Sequence, residues 1–459
     1  MLTLVTRAVS LYRRLGTGSV NERIASATLI IIAGTVLVKV VAAVKDIVIA
    51  GHFGLGDALD ALLIAMVLPS FVTAVVAYSF SGAFIPAYVR AREKEGQHAG
   101  NLLFANVIVI SLVVLLACTL VMAAAAAPLL RLLAWEFSPE KLELARELYF
   151  LLLPTIVLGG QITVWAGVLN ADEKFALAAL APILSPLIII AGLMVMTPGL
   201  DVRGVAWAIV IGAVAELAAL GIALHRRGLL PLPRWHSDVR ETRAVLRQYV
   251  PAVAAAIVMS GTTVIDNAMA SWLGSGAVAA LTYGNKIPAF VAAAGMTALG
   301  SAVLPHFSRL VALEDHDAIR HTLKTYGRWL LILSVPATLL LIAASEWIVR
   351  ILFQRGAFSQ EDTILVTFVQ QMFLIQIPFV MVGMLGVRLL VAMSKNHLLT
   401  MMAVVNLAVC VIGNLVFMRW LGVAGIALAT SLMYVGSTAM IWFFVLRNLR
   451  RPVAAAGEA

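Results

Sequence analysis

The amino-acid sequence predicts an all-α polytopic membrane protein of about twelve transmembrane helices, in two parallel six-helix repeats around a central cavity. Of its 459 residues, 62% are hydrophobic and 12% are charged, and the mean hydropathy is +0.98. An average soluble domain is about 45–50% apolar and about 25% charged, so a soluble enzyme is excluded. Long apolar stretches recur from Ile24 to Leu446. They indicate helices, because a membrane β-barrel shows alternating segments of about 10 residues instead.

Each apolar stretch is long enough for the bilayer core, which takes about 20 residues in a helix. The predicted spans are 24–50, 58–88, 100–127, 146–170, 175–197, 203–224, 248–272, 277–305, 327–349, 363–393, 398–418 and 421–446. They divide the chain into a cytoplasmic N-terminal segment, a first six-helix bundle, a basic cytoplasmic connector, a second bundle and a cytoplasmic tail. The predicted boundaries of these parts are 1–23, 24–224, 225–247, 248–446 and 447–459.

The distribution of basic residues predicts the orientation. Of the 33 Lys and Arg residues, 22 fall in the termini and even-numbered loops, against 7 in the opposite loops. By the positive-inside rule, both termini are predicted to lie in the cytoplasm. The net charge of +9 therefore reflects topology, and no nucleic-acid partner is predicted. The two cysteines, Cys118 and Cys410, lie in apolar spans and form neither a disulfide framework nor a cysteine zinc site.

The two halves of the sequence match each other. The paired residues are Pro69 with Pro288, Pro86 with Pro305 and Arg90 with Arg309 at a shift of 219; Asp46 with Asp266, Gly54 with Gly274 and Gly56 with Gly276 at a shift of 220; and Pro154 with Pro378 at a shift of 224. A duplicated six-span unit has the same orientation in both copies, because six is even. Such repeats are related by an axis along the membrane normal and enclose a cavity, which predicts a transporter.

Ionisable residues within the spans are the candidate functional residues, because each costs several kcal/mol in the membrane. The candidates chosen among them are the basic residues Lys39, Lys45, Lys286 and Arg388 and the acidic residues Asp46, Asp60 and Asp266. Cations around a central cavity favour an anionic ligand such as a pyrophosphate. Structural alternatives remain: Lys45 with Asp46 as an interfacial pair, Lys39 paired with Asp46 or Asp60, Lys286 in a structural role, and Arg388 extending to the interface.

The sequence contains no HExxH, P-loop or dinucleotide-binding motif. The protein is therefore predicted to be a transporter rather than an enzyme, driven by an ion gradient, the membrane potential or the gradient of its substrate. Asp266 could bind a cation or carry a proton, or it could be a hydrogen-bonded carboxylate without either role.

Several stretches resemble the MurJ (MviN) lipid II flippases, in the superfamily that also contains polysaccharide flippases and MATE drug exporters. They are KDIVIAGHFGLGDALDALLIAMVLPSF, FSGAFIPAYVR, LTYGNKIPAF, ALGSAVLPHFSRL, ILFQRGAFSQEDT and RLLVAMSKN. The resemblance implies a two-bundle fold that moves an undecaprenyl-pyrophosphate-linked saccharide to the outer leaflet by alternating access. Lys39 and Lys45 look like the basic residues of span one in the family, Lys286 looks like an arginine of span eight, and Asp60 looks like an early aspartate of span two.

Some members of this family bind sodium among spans seven, eleven and twelve. Asp266, Asn406 and Thr430 resemble that site, whereas Cys410 stands where a carboxylate is expected. The resemblance thus implies no bound cofactor and leaves coupling to sodium or to protons open. The implied partners are the lipid-linked oligosaccharide, membrane lipids and enzymes of cell-wall or polysaccharide biosynthesis.

Two departures keep other cargoes open. The family's arginine in span two has no counterpart in LPSFVTAVVAYS, and the printed chain shows twelve spans where the family usually has two more that form a groove for the lipid tail. Twelve spans are normal in exopolysaccharide or O-antigen flippases and in MATE-like drug exporters. A lipid II-like precursor is the favoured cargo, and these two classes are the alternatives.

Overall fold

The computed structural model describes residues 20–172, 175–195, 201–229, 235 and 240–450, and the regular structure of these residues is helical. The helices are α1 (Val20–Phe53), α2 (Asp57–Glu95), α3 (Gln97–Ala124), α4 (Ala126–Leu133), α5 (Pro139–Leu152), α6 (Pro154–Ala171), α7 (Phe175–Leu180), α8 (Leu184–Val195), α9 (Val202–His225), α10 (Arg240–Ala270), α11 (Ala277–Gly284), α12 (Lys286–Ala312), α13 (His316–Phe353), α14 (Gln360–Leu374), α15 (Ile377–Ala392), α16 (Asn396–Leu421) and α17 (Val423–Arg450). Single 3₁₀ turns join α7 to α8 and follow α10.

Ten helical stretches among these residues are long and apolar enough to cross a membrane, which confirms the predicted all-helical membrane fold. They coincide with ten of the twelve predicted spans. The other two predicted spans, 24–50 and 277–305, correspond to α1 and to the pair α11–α12. The predicted segments 1–19 and 451–459, and much of the predicted connector (230–234 and 236–239), lie outside the described residues.

Prolines mark two helix breaks at equivalent places in the two halves. Pro154 begins α6, and Pro378 lies in the first turn of α15. A proline is tolerated there because the first turn of a helix needs no N–H donor. Pro154 and Pro378, which the sequence comparison pairs, thus each lie in the first turn of a helix that follows a break.

Three features extend beyond the predicted spans. The short helix α4 (Ala126–Leu133) and the early start of α5 at Pro139 lie in what the sequence predicts as a loop. Helix α13 begins eleven residues before its predicted span, where the Asp315 side chain accepts a hydrogen bond from the backbone N–H of Ala318 at 2.9 Å. This N-cap satisfies a donor that would otherwise have no partner in the first turn.

The chain forms two compact units. Unit 1 comprises Met1–Ile49, Leu68–Ala126 and Arg146–Ala254, and unit 2 comprises Ala50–Val67, Ala127–Ala145 and Ala255–Ala459. Unit 2 therefore includes two segments from the first half of the sequence. The predicted division into bundles 24–224 and 248–446 stays a prediction.

Small residues allow the helices of unit 1 to pack closely. A Cβ atom on Gly160 of α6 would lie 2.3 Å from a side-chain carbon of Leu115 in α3, and one on Gly212 of α9 would lie 2.7 Å from the Cα atom of Ser185 in α8. Because lipid gives helices little hydrophobic reason to associate, such close contacts are a main source of packing energy in membranes.

Unit 2 has an apolar core with polar contacts along one helix. Phe307, Leu385, Leu389 and Val445 are fully buried in this core, which joins α12, α13, α15, α16 and α17. In α17, the Thr438 hydroxyl donates to the carbonyl oxygen of Phe379 at 2.8 Å. Hydroxyl groups that bond neighbouring backbone in this way fix helix position inside a bilayer.

Candidate functional site

The predicted cations of span one lie in unit 1. Lys39 is exposed on α1, and Lys45 forms an ion pair with the adjacent Asp46, with 3.0 Å between Nζ and Oδ1. The side chains of Lys45 and Asp46 are 24% and 16% exposed, respectively. The described part of the chain therefore leaves the Lys39 cation uncovered, whereas the charge of Lys45 is partly neutralised by Asp46.

The other two predicted cations lie in unit 2. Lys286 is the first residue of α12, directly after the break between α11 and α12, and it is partly buried. Arg388 is partly buried in α15, and its buried Nε atom has no hydrogen-bond partner among the described residues. A buried guanidinium donor with an unused N–H is chemically suited to an anionic oxygen. The role of these four cations in binding pyrophosphate stays a prediction.

Asp60 is fully buried and lies at the centre of a polar cluster in unit 2. Its Oδ2 atom accepts hydrogen bonds from the Gly276 N–H at 2.7 Å and from Lys141 Nζ at 2.9 Å, and its Oδ1 atom accepts one from the Ala279 N–H at 2.9 Å. Lys141 also pairs with Asp57 at 2.6 Å. The carboxylate of Asp60 thus caps the N-terminus of α11, where N–H groups and the helix dipole favour negative charge.

The local sequence explains why a distant aspartate caps α11. Gly276 is the N-cap residue and offers no side-chain oxygen, and it adopts a positive φ of 78°. A Cβ atom there would lie 2.5 Å from the carbonyl oxygen of Leu55. Glycine is therefore required by both the backbone conformation and the close approach of the 54–56 turn, and that turn brings α2 and Asp60 to the helix.

A second contact in unit 2 involves the LFQRGAF segment that carries part of the family resemblance. The Ala357 N–H donates to the Gly51 carbonyl oxygen at 2.8 Å. Directly after this segment, Ser359 and Asp362 form a reciprocal capping box that begins α14. Rigid capping of α14 holds the 354–358 segment in place against the end of α1.

Asp266 lies 9% exposed on α10 and joins three helices. Its Oδ1 atom is 2.7 Å from Asn414 Nδ2 and 3.1 Å from Cys410 Sγ in α16, and its Oδ2 atom is 3.3 Å from Thr430 Oγ1 in α17. Of the predicted cation-site residues, Asp266 and Thr430 thus lie together. Asn406 instead donates to Ser437 Oγ at 3.1 Å.

This donor set does not match a sodium site well. The Cys410 thiol occupies a position beside Asp266 where a hard cation would need an oxygen ligand, because thiols suit softer metals. Within the described parts of the chain, Asn414 Oδ1 is buried without a hydrogen-bond partner, so it is an amide oxygen that could serve as a cation ligand. Among the described residues, no group of three or more His, Cys, Asp or Glu side chains is arranged to hold a metal.

Three buried polar residues of the structure are absent from the sequence-based candidates. Lys141 lies 81 residues from Asp60 in a predicted loop, so no local pattern connects the two. Asn414 could have been found from its position one helical turn after Cys410. Glu216 is an acidic residue within the predicted span 203–224 and is only 8% exposed, so the rule applied to the other in-span charges would have found it.

The order and packing of these helices define a fold class, because the same fold is found in solved membrane transporters. A solved multidrug resistance MATE family transporter of the MOP superfamily, in an inward-facing conformation, aligns with a TM-score of 0.75 at 15% identity, over 90% of this chain and 94% of that chain. A solved lipid II flippase MurJ in an inward closed conformation aligns with a TM-score of 0.78 at 21% identity, over 92% of this chain and 89% of that chain.

A sequence model of the lipid II flippase MurJ family matches residues 49–456, and the chain belongs to this family of transporters. The lipid II flippase MurJ of Burkholderia cenocepacia is 27% identical over 414 residues, which are 86% of this chain and 78% of that protein. The probable lipid II flippase MurJ of Rhizobium tropici is 26% identical over 349 residues. These cover 73% of this chain and 64% of the Rhizobium protein, so the match spans less than two thirds of that relative.

Proposed function

We propose that this protein flips a polyprenyl-pyrophosphate-linked saccharide, with lipid II as its cargo, from the inner to the outer leaflet of a bacterial inner membrane. The family match over residues 49–456 is the observation that carries this proposal. Both termini lie in the cytoplasm in this proposal, as the distribution of basic residues predicts. The enzymes that make and consume the lipid-linked substrate are the proposed partners.

The in-span cations supply the chemistry for the proposed cargo. Lys39, Lys45, Lys286 and Arg388 would bind the pyrophosphate, because its oxygens accept charge-assisted hydrogen bonds from lysine and arginine. Lysine acts as a point charge and lacks the bidentate geometry of arginine, so three lysines hold a mobile phosphate group without fixing its orientation. Transport benefits from such a site, because the cargo must leave it as readily as it enters.

The test is rescue of a bacterium depleted of its own lipid II flippase, with lipid II at the cell surface quantified and membrane expression confirmed. We expect rescue by the wild type and loss of rescue with Lys39→Ala or Lys286→Ala. Lys324→Ala removes an exposed cation of α13 and should rescue like the wild type. Full activity of a well-expressed Lys286→Ala variant would contradict the role in pyrophosphate binding.

Failure of the well-expressed wild type to rescue would contradict lipid II as the cargo. The exopolysaccharide or O-antigen repeat unit would then be tested in a strain that lacks the corresponding flippase. A cation-coupled drug exporter would instead raise drug tolerance on overexpression, which we do not expect from a protein with three lysines in its spans.

A further inference from the structure

Helix α9 of unit 1 carries an acidic residue that has no part in the proposed cargo site. Glu216 lies about 21 Å along the helix axis from Val202 and about 14 Å from His225, so it is far from both helix ends. Only 8% of the residue is exposed. An ionisable group at such depth is a functional-site candidate, because a purely structural position would be filled by an apolar residue at lower cost.

The surroundings of Glu216 are closely packed. It belongs to the buried face of α9 together with Ala208, Gly212 and Leu220. One turn before it, Gly212 meets Ser185 of α8; just over one turn after it, a Cβ atom on Gly221 would lie 3.0 Å from Trp165 of α6. Helix α9 is therefore in close contact with its neighbours on both sides of the carboxyl group.

These neighbours carry no cation that could balance a negative charge. Helices α6, α7 and α8, which pack against α9, contain no Asp, Glu, His, Cys, Tyr, Lys or Arg. In the part of the chain that the structure describes, Glu216 forms neither an ion pair nor a hydrogen bond. The nearest charged groups on α9 itself are Arg203, which pairs with Glu147 of α5 at the start of the helix, and His225 at its end.

We propose that Glu216 is a proton-binding site that couples proton movement to the transport cycle. The Glu216 carboxylate takes up a proton from water to form the neutral carboxylic acid, and no other bond changes. The neutral acid is compatible with the closed packing of α6, α8 and α9. The anion requires water or a counter-ion, so release of the proton goes with separation of α9 from these helices.

The first experiment detects the proton directly and does not depend on the cargo. Infrared difference spectra of the protein in lipid vesicles are recorded as the pH is changed, and the carbonyl stretch of protonated carboxylic acids is followed. We expect a titrating band in the wild type that is lost in Glu216→Gln, an isosteric neutral variant. Glu147→Gln, which alters an exposed glutamate paired with Arg203, should keep the band. Identical spectra for the wild type and Glu216→Gln would overturn the proposal.

The second experiment tests coupling and rests on the proposed function. Vesicles containing the protein and lipid II are given a proton gradient, and the steady-state ratio of lipid II between the leaflets is measured. One coupled proton changes this ratio by up to about tenfold per pH unit. We expect this response in the wild type and in Glu147→Gln, and its loss in Glu216→Gln, which should keep gradient-independent flipping.

An unchanged response in Glu216→Gln would contradict coupling through this residue. If no form of the protein moves lipid II, the proposed cargo is wrong, and the infrared spectra alone decide whether Glu216 binds a proton.

Discussion

The side chain of Asp60 shows how much one residue can contribute to a membrane fold. A carboxylate without exposed surface is strongly destabilising unless every oxygen is satisfied, and Asp60 receives two backbone N–H groups and one ammonium group. Lys141 is itself only 8% exposed, so each charge depends on the other. Asp57 contacts the same lysine, but 62% of its side chain is exposed.

Replacement of Asp60 and of Asp57 should therefore have different effects. Asp60→Asn leaves Lys141 buried without a full counter-charge and weakens the cap of α11, so we expect a loss of about 3–5 kcal/mol in the free energy of unfolding. Asp57→Asn removes only an exposed partner, for which we expect about 0–1 kcal/mol. Thermal unfolding of the purified variants in detergent measures both. Equal shifts in Tm would show that the burial of Asp60 has no energetic consequence.

The residues around Asp266 make a separate prediction about sodium. In the wild type the Cys410 thiol replaces an oxygen ligand, so sodium chloride should raise Tm no more than potassium chloride does. In Cys410→Asp a second carboxylate faces Asp266 and favours a bound cation, so sodium should raise Tm selectively. Cys410→Ser, which adds only a hydroxyl group, is the matched control. Selective stabilisation of the wild type by sodium would show that the thiol does not prevent binding.

At the scale of the helices, hydropathy predicts where spans lie because the bilayer imposes a similar length on each of them, and ten of the twelve predicted spans coincide with long apolar helices among the described residues. It does not predict α4 (Ala126–Leu133), because this helix lies outside the apolar spans. It also does not predict the break between Gly284, where α11 ends, and Lys286, where α12 begins, since the continuous helix α2 contains the matching Pro69 without a break.

The same reasoning applies to the candidate site. The in-span charges Lys39, Lys45 and Lys286 can be found from sequence because a charge in an apolar stretch is locally visible. The pairing of Asp60 with Lys141 cannot, because both the partner and the backbone donors of α11 are distant in sequence. Sequence thus identifies which groups are unusual, whereas the fold determines which of them meet.

The start of α11 gives a prediction at this scale. Gly276 and Gly228 have similar backbone angles, with φ of 78° and 74°, but only Gly276 has neighbours within 4 Å of a new Cβ atom. Gly228→Ala should cost about 1–2 kcal/mol for the left-handed conformation alone. Gly276→Ala should cost more, because the Leu55 carbonyl must move and the N–H donor to Asp60 moves with it. Thermal unfolding in detergent compares them, and equal losses would contradict the close contact.

At the scale of the whole molecule, the two sequence copies share a helix start but differ in the polar residues around it. Ser138 and Ser359, separated by 221 residues, each accept a hydrogen bond from the N–H three residues later. The third residue is Asp362 in one copy, where it completes a capping box, and Lys141 in the other, where it pairs with Asp60. The first copy carries Asp60 where the second has Ala280, so this ionic cluster exists once. The predicted duplication accounts for the shared serine at the two helix starts, and the substitutions at Asp60 and Lys141 distinguish the two copies.

The duplication also makes orientation testable with two single cysteines. Six spans per copy place both termini on one side, and the ratio of 22 to 7 basic residues predicts that this side is cytoplasmic. The exposed Glu140 lies in a predicted outer loop, and Asp317, whose side chain is 94% exposed, lies in a predicted inner loop. In a background with Cys118 and Cys410 replaced by alanine, a membrane-impermeant maleimide should label Glu140→Cys in intact spheroplasts. It should label Asp317→Cys only after the membrane is permeabilised. The reverse labelling pattern would show that the protein has the opposite orientation in the membrane. The proposed direction of lipid transport would then be reversed as well.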